Sequence, residues 1–400
     1  MWNRNFLIII LGVGVSSIGL WVGIIGNLEF LARNVESSFL QALIILAGFV
    51  VGVFLAPMAG RVIDRSEKKR VLMITSFVRT VAIGFMFLAI AYNSVAWMVV
   101  YTFVIGITVT FANPAMQTVI PRIVPKEHLL AANGVYMNIF TGARIVGTAL
   151  GGVMIVAMSL NALYLVTMIS YFVLLIATAF LRIEGDVKTE VKEKKKENFV
   201  STFTELWPVI KGKPMVINGL LLMIPCFFFL AGFNLMVIEI GEMQGNPGIK
   251  GILYTAEGLA VLVGTFMAKR FFKDKQNIKP LLLITLFISL TQLSLFFADV
   301  SFMPVVSFAI FGLAAGSLFP IITTIFQTEI PESHHGRFFS IRGMVENIIF
   351  QILMLLTGFF LDTIGFKKMV IVFGVISLLF LIGVAIKRMG GGEKQKVKVA

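Results

Sequence analysis

Histidine and cysteine are almost missing from this chain. The one cysteine, Cys226, cannot form an internal disulfide and reads as packing, silent about redox compartment. The three histidines, His128, His334 and His335, show neither metal-ligand spacing nor a base set beside a nucleophile, so no catalytic group, metal site or cofactor is expected. No Gly-x-x-x-x-Gly-Lys-Ser/Thr loop occurs, which argues against direct use of ATP. Charge is scarce too, at 14% of residues, where soluble domains carry roughly a quarter. Apolar residues take its place, with 58% hydrophobic and a mean hydropathy of +0.94. A folded chain of this composition belongs in a bilayer.

A helix needs about 20 apolar residues to cross a hydrocarbon core of about 30 Å. Twelve such runs occur, at 6–32, 39–59, 71–92, 96–116, 131–158 and 163–181, then 215–240, 251–268, 280–298, 302–326, 338–361 and 369–386. Lipid leaves exposed backbone groups unpaired, so these runs are expected to be helices rather than strands. The first is too long for a signal-peptide core and has no small-residue cleavage site after it, so it is expected to stay as an anchor.

Lysine and arginine set the orientation. With both termini cytoplasmic, 27 of the 34 fall in inner segments. Arg33, Lys250, Lys367 and Lys368 lie outside, and Arg79, Arg144 and Arg342 lie within spans. A net charge of +13 can also suggest nucleic acid, but topology already accounts for the positions of the charges, and no soluble basic domain exists.

The chain also repeats itself. At an offset of 206 residues Gly106 meets Gly312, Pro114 meets Pro320, Pro125 meets Pro331, His128 meets His334 and Gly152 meets Gly358. Chance matching of Gly and Pro over that stretch gives about 0.4 coincidences. The expected organisation is a six-helix bundle at 1–182, a cytoplasmic linker at 183–213, a second bundle at 214–388 and a tail at 389–400. In the linker Phe199, Phe203, Leu206, Trp207 and Ile210 fall on one helical face, as in an interfacial amphipathic helix.

Between the second and third runs stand Gly60, Arg61, Asp64, Arg65, Lys68, Lys69 and Arg70. This glycine, lone aspartate and basic cluster resembles the signature loop of major facilitator transporters. Asn113, Pro114 and Ala115 with Ile120, Pro121, Val124, Pro125 and Glu127 resemble the junction of the fourth and fifth spans in the branch that contains macrolide exporters. Ala143, Arg144 and Ile145 through Gly147, Gly151 and Gly152 resemble the antiporter motif of the fifth span, with Thr148 where that motif usually has proline. Gly336, Arg337, Phe338, Phe339, Arg342 and Gly343 resemble the start of the eleventh span. The fourth span lacks the arginine that proton antiporters often carry near Thr102, and the second signature loop, around 264–275, lacks the matching aspartate.

The resemblance implies an all-α membrane protein, twelve transmembrane helices in two pseudo-symmetric six-helix bundles (the major facilitator fold), monomeric in a bacterial-type plasma membrane. It implies a secondary transporter, not an enzyme, that exports lipophilic or amphiphilic small molecules, drug- or macrolide-like, by alternating access in exchange for protons. Export of a lysophospholipid, siderophore or peptide is the alternative within the fold, and a channel or scaffold the alternative outside it. In the family the signature aspartate, here Asp64 with Gly60, Arg65 and Arg70 around it, meets the N-terminal end of the eleventh helix near Arg342 and closes the cytoplasmic side.

Charges inside lipid cost about 2.5–3.5 kcal/mol each at a span's centre on insertion scales, so each needs a partner or a role. Arg144 lies roughly 21 Å from the inner end of its span and Glu257 roughly 10 Å from the outer end of its own, matching depths in a core of about 30 Å. The family sets the fifth and eighth spans side by side, so an Arg144–Glu257 pair is expected, either as an outer latch or as a permanent pair. Glu346 stands one turn from Arg342, giving a local pair or, if unpaired, a protonatable site. Glu29, four residues before Arg33, either snorkels to water or lines the cavity as a cation or proton site, and Glu29, Glu257 and Glu346 are the candidates for proton or substrate coupling. Arg79, roughly 13 Å deep on a peripheral span, is expected to have a structural partner. Gly142, Gly147, Gly151 and Gly152 allow close packing or bending. Phenylalanines face lipid, and some on the first, fourth, seventh and tenth spans are candidates to line a greasy cavity.

Overall fold

The computed structural model describes residues 2–182, 207–271, 278–331 and 334–396. Among them the chain forms twelve long helices and no strand. They are α1 (Arg4–Asn34), α2 (Ser38–Arg65), α3 (Lys68–Ala91), α4 (Val95–Ile123), α5 (Leu129–Ala157), α6 (Leu160–Ala179), α7 (Pro214–Met243), α8 (Ile249–Phe271), α9 (Lys279–Ser294), α10 (Met303–Glu329), α11 (His335–Ile364) and α12 (Phe366–Lys396). Eleven are long and apolar enough to cross a membrane, and α2 adds a shorter apolar stretch at Ser38–Gly52.

Local chemistry sets the helix ends. Asn3, Ser37 and Ser159 cap α1, α2 and α6, each side-chain oxygen accepting a backbone N–H three residues on. Proline opens α7, α9 and α10 in the first turn, where its missing N–H costs nothing. Gly365 (φ +77°) ends α11 in a conformation that a side chain resists.

Contacts divide the chain into two compact units, residues 1–193 with 245–255, and residues 194–244 with 256–400. Helix α8 therefore starts in the first unit and continues in the second. The first unit's core joins Phe6, Ile9 and Val13 of α1 to Ala115, Met116 and Val119 of α4 and Leu174 of α6. In the second unit Phe229 and Phe233 of α7 pack on Phe308 and Phe311 of α10, with Phe229 stacked on Phe311 at 3.8 Å. All four rings are buried. These phenylalanines of the seventh and tenth spans therefore fill a core instead of lining an open cavity. Aromatic pairs gain from stacking beyond the area they bury.

The duplication reappears as matched geometry. Gly106 of α4 lies against the Gly48 carbonyl of α2, and Gly312 of α10 lies against the Glu257 carbonyl of α8, so a Cβ at either would strike backbone. His128 and His334 occupy the same position before α5 and α11, with φ, ψ of −107°, 1° and −108°, −4°. Their N–H groups donate to the Pro125 and Pro331 carbonyls at 3.0 and 2.9 Å.

Two expectations about segments change. The signature stretch is not a loop throughout: α2 runs on to Arg65, and only Ser66 and Glu67 separate it from α3. Nothing from Gly60 to Arg65 breaks a helix once a preceding turn has formed, because propagation needs one hydrogen bond per residue. Helix α4 likewise runs past Pro114 and Pro121 to Ile123. The amphipathic face at Phe199, Phe203 and Leu206 lies outside the described residues, while Trp207 is exposed and Ile210 buried.

Candidate functional site

Buried charge in the first unit gathers where α1 ends and α8 begins. Glu29, 5% exposed, accepts a hydrogen bond from Arg33 Nε at 2.7 Å and another from Lys250 Nζ at 2.5 Å. Lys250 is 2% exposed, and the Arg33 side chain is 55% exposed. The i,i+4 spacing sets Arg33 over Glu29 on one helix face. Glu29 does not snorkel; it is held between one buried cation and one wet one. A charge-assisted pair this close is strong only where both groups keep their partners.

Glycines bring the start of α8 to that point. Gly152 of α5 and Gly251 of α8 meet backbone to backbone: a Cβ on Gly152 would lie 2.9 Å from Gly251 Cα. One turn on, the Thr148 and Thr255 hydroxyls stand 3.4 Å apart. The other motif glycines seat α5 on α1, since a Cβ on Gly147 would lie 2.7 Å from Trp21 Cβ and one on Gly151 3.0 Å from Ile25. The antiporter-like glycines thus pack α5 on two neighbours, whereas Gly142 meets nothing within 4 Å. Trp21 spans the site, its ring 5.9 Å from the Arg144 guanidinium carbon and 6.0 Å from the Tyr254 ring.

The remaining expected residues are distributed as follows. Arg144 stands in the first unit; Glu257, 4% exposed, stands in the second. Arg342 pairs with Glu346 one turn away, packs its guanidinium 4.8 Å from the Phe326 ring and donates to Met223 Sδ. Arg70 is exposed. The side chains of Gly60, Asp64 and Arg65, and with them the Asp64 contact with the start of α11, lie outside the described residues. Arg79 has no carboxylate within ion-pair distance among the described residues; its Nε donates to Thr108 Oγ1 of α4 at 3.1 Å. The structural partner expected for it is a hydroxyl, not an acid.

Lys250 was not among the residues singled out in the sequence. It counted there as an outer-loop cation, and its partner lies 221 positions away, a separation that no helical spacing encodes. The available signal was composition: a lone lysine set between Gly248 and Gly251 at the head of an apolar run.

The family profile described as Major Facilitator Superfamily matches residues 9–350 and 241–398. Macrolide efflux protein A of Streptococcus pyogenes is 24% identical over 392 residues, covering 95% of both chains. The staphyloferrin A transporter of Staphylococcus aureus is 20% identical over 82% of this chain and 83% of its own. Among solved structures, a bacterial homologue of the iron transporter ferroportin superposes with a TM-score of 0.71 at 15% identity, covering 97% of this chain and 99% of the other. That last likeness is one of fold.

Proposed function

The chain belongs to the major facilitator superfamily, a family of transporters and not of enzymes, and we propose that it exports lipophilic or amphiphilic small molecules by alternating access in exchange for protons. Likeness to macrolide efflux protein A over nearly the whole of both chains supports the substrate class and direction. The observation that carries the mechanism is the buried Glu29–Lys250 pair. It ties α1 to the head of a helix that continues into the other unit, at the end expected to face outward. If α8 moves away, ionised Glu29 loses its buried partner and takes up a proton; when Lys250 returns, that proton is released. Access and protonation are then coupled through one carboxylate.

The moving bodies in this reading are the six-helix halves 1–182 and 214–388 of a monomer with both termini cytoplasmic, supported by the lysine and arginine distribution. Asp64, with Gly60, Arg65 and Arg70, and Arg342 at the facing helix, form the inner latch. Arg144 and Glu257 are the residues of a second, outer latch in this reading. Glu257→Gln is expected to lower efflux at least tenfold and to raise labelling of outward-facing cysteine probes; unchanged flux and labelling would eliminate that latch. Glu346, paired with Arg342, keeps a local structural role.

Transport in liposomes tests the whole reading. An imposed proton gradient should drive concentrative uptake of a macrolide such as erythromycin into inside-acidic vesicles, and an ionophore should abolish it. Conductance that ignores the gradient would show a pore instead. Likeness to the staphyloferrin A transporter favours one second reading, export of a siderophore. A deletion strain that loses siderophore secretion without gaining macrolide sensitivity would select it.

A further inference from the structure

The first unit holds a second polar feature that the transport reading does not use. Five helices, α1, α3, α4, α5 and α6, surround a cavity of about 200 Å³ whose wall carries Arg79. Its other polar groups include Ser16, Ser17, Ser76, Asn113, Tyr136 and Tyr171. At roughly 30 Å³ per water the space holds only a handful of small molecules, far too few for a macrolide.

A guanidinium has five N–H donors. Among the described residues one of them is used within the protein, by Thr108. Arg79 lines the cavity together with Ser16, Ser17 and Ser76. A permanent cation at this depth, roughly 13 Å from the cytoplasmic end of its span at 1.5 Å per residue, calls for polar partners or a polar cavity, and an anion in that cavity is the partner a guanidinium binds most strongly. The chain does not repeat the arrangement: at the offset that relates its halves, Arg79 meets Thr285. The charge belongs to the first unit's cavity and not to the fold's symmetry.

We propose that this cavity is a binding site for a small monoanion, with the Arg79 guanidinium as its cation and the Ser16, Ser17 and Ser76 hydroxyls as further donors. The ligand is a halide or a compact carboxylate, small enough for the cavity and singly charged to match one arginine. The proposal does not rest on the transport reading, since binding is measured without flux.

The experiment follows thermal unfolding of the purified full chain in detergent while potassium chloride or potassium formate replaces the potassium salt of a bulky sulfonate at fixed ionic strength. A ligand bound only by the folded state raises the midpoint in a saturable way. The expected result is such a rise in the wild type and none in Arg79→Gln. Response to chloride identifies a free inorganic anion, and response to formate alone a carboxylate. Should Arg79→Gln fail to fold, Ser76→Leu fills the cavity and keeps the guanidinium, and it should raise the half-saturating salt concentration about tenfold, or 1.4 kcal/mol. Midpoints that ignore both salts in the wild type, or that move equally in wild type and variants, would overturn the proposal.

Discussion

Lys250→Met should destabilise the protein by about 3 kcal/mol, at the low end of the range for breaking a buried ion pair. The substitution removes a cation that is 2% exposed and leaves Glu29, 5% exposed, ionised in the same place. Arg33 stays as a partner at 2.7 Å, but its side chain is 55% exposed, so solvent competes for it. That residual partner is why the low end applies. Thermal unfolding in detergent measures the loss, and Glu29→Gln together with Lys250→Met should recover most of it, because removing both charges removes the uncompensated one.

The double variant also separates the two meanings of the pair. Restored stability says nothing about gating, since a neutral pair of similar volume packs as well in either case. Transport does: a pair that opens and closes in the cycle leaves the double variant folded yet transporting at least tenfold more slowly, whereas a permanent pair leaves it at wild-type rates. The reversed pair, Glu29→Lys with Lys250→Glu, should recover less stability than the neutral one, since it sets a new lysine one turn from Arg33 on the same face of α1.

How much of this was readable from residues alone follows from how locally each feature is encoded. All twelve helices were legible, because an apolar run of span length has no other satisfactory conformation in lipid. The Arg342–Glu346 pair was legible for a similar reason, since four residues on one helix set its geometry. The duplication matched Gly106 with Gly312 in sequence, but the helices they touch, α2 and α8, came only with the structure. Glu29 was singled out by its chemistry, but its partner was not, because contacts between α1 and the head of α8 depend on how glycines at 152 and 251 let backbones approach. Arg79 shows the opposite limit. Its place inside an apolar run was legible, but a cavity is made by five helices at once, and no single run announces it. Phe229, Phe233, Phe308 and Phe311 look like any lipid-facing phenylalanines until α7 and α10 bring them together.

The second large effect follows from the close approach itself. A Cβ added to Gly251 would stand 2.6 Å from Gly152 Cα and 2.9 Å from Gly152 N. Both are backbone atoms, which cannot swing aside as the end of a side chain can, so Gly251→Val must push α8 from α5. Forced overpacking costs about 1–3 kcal/mol. The functional cost should be larger than the stability cost, because Lys250 is the adjacent residue and moves with the backbone, stretching a 2.5 Å bond to Glu29. Vesicle efflux is therefore expected to fall at least tenfold in Gly251→Val and in Gly152→Val. Gly142→Ala, on the same helix as Gly152 but with no atom within 4 Å of the added methyl, is the control. It should leave transport intact and raise stability by about 0.5–1 kcal/mol, the usual gain when alanine replaces a mid-helix glycine. Wild-type efflux from Gly251→Val would mean that α5 and α8 need not close on each other here, and the Glu29–Lys250 latch would fall with it.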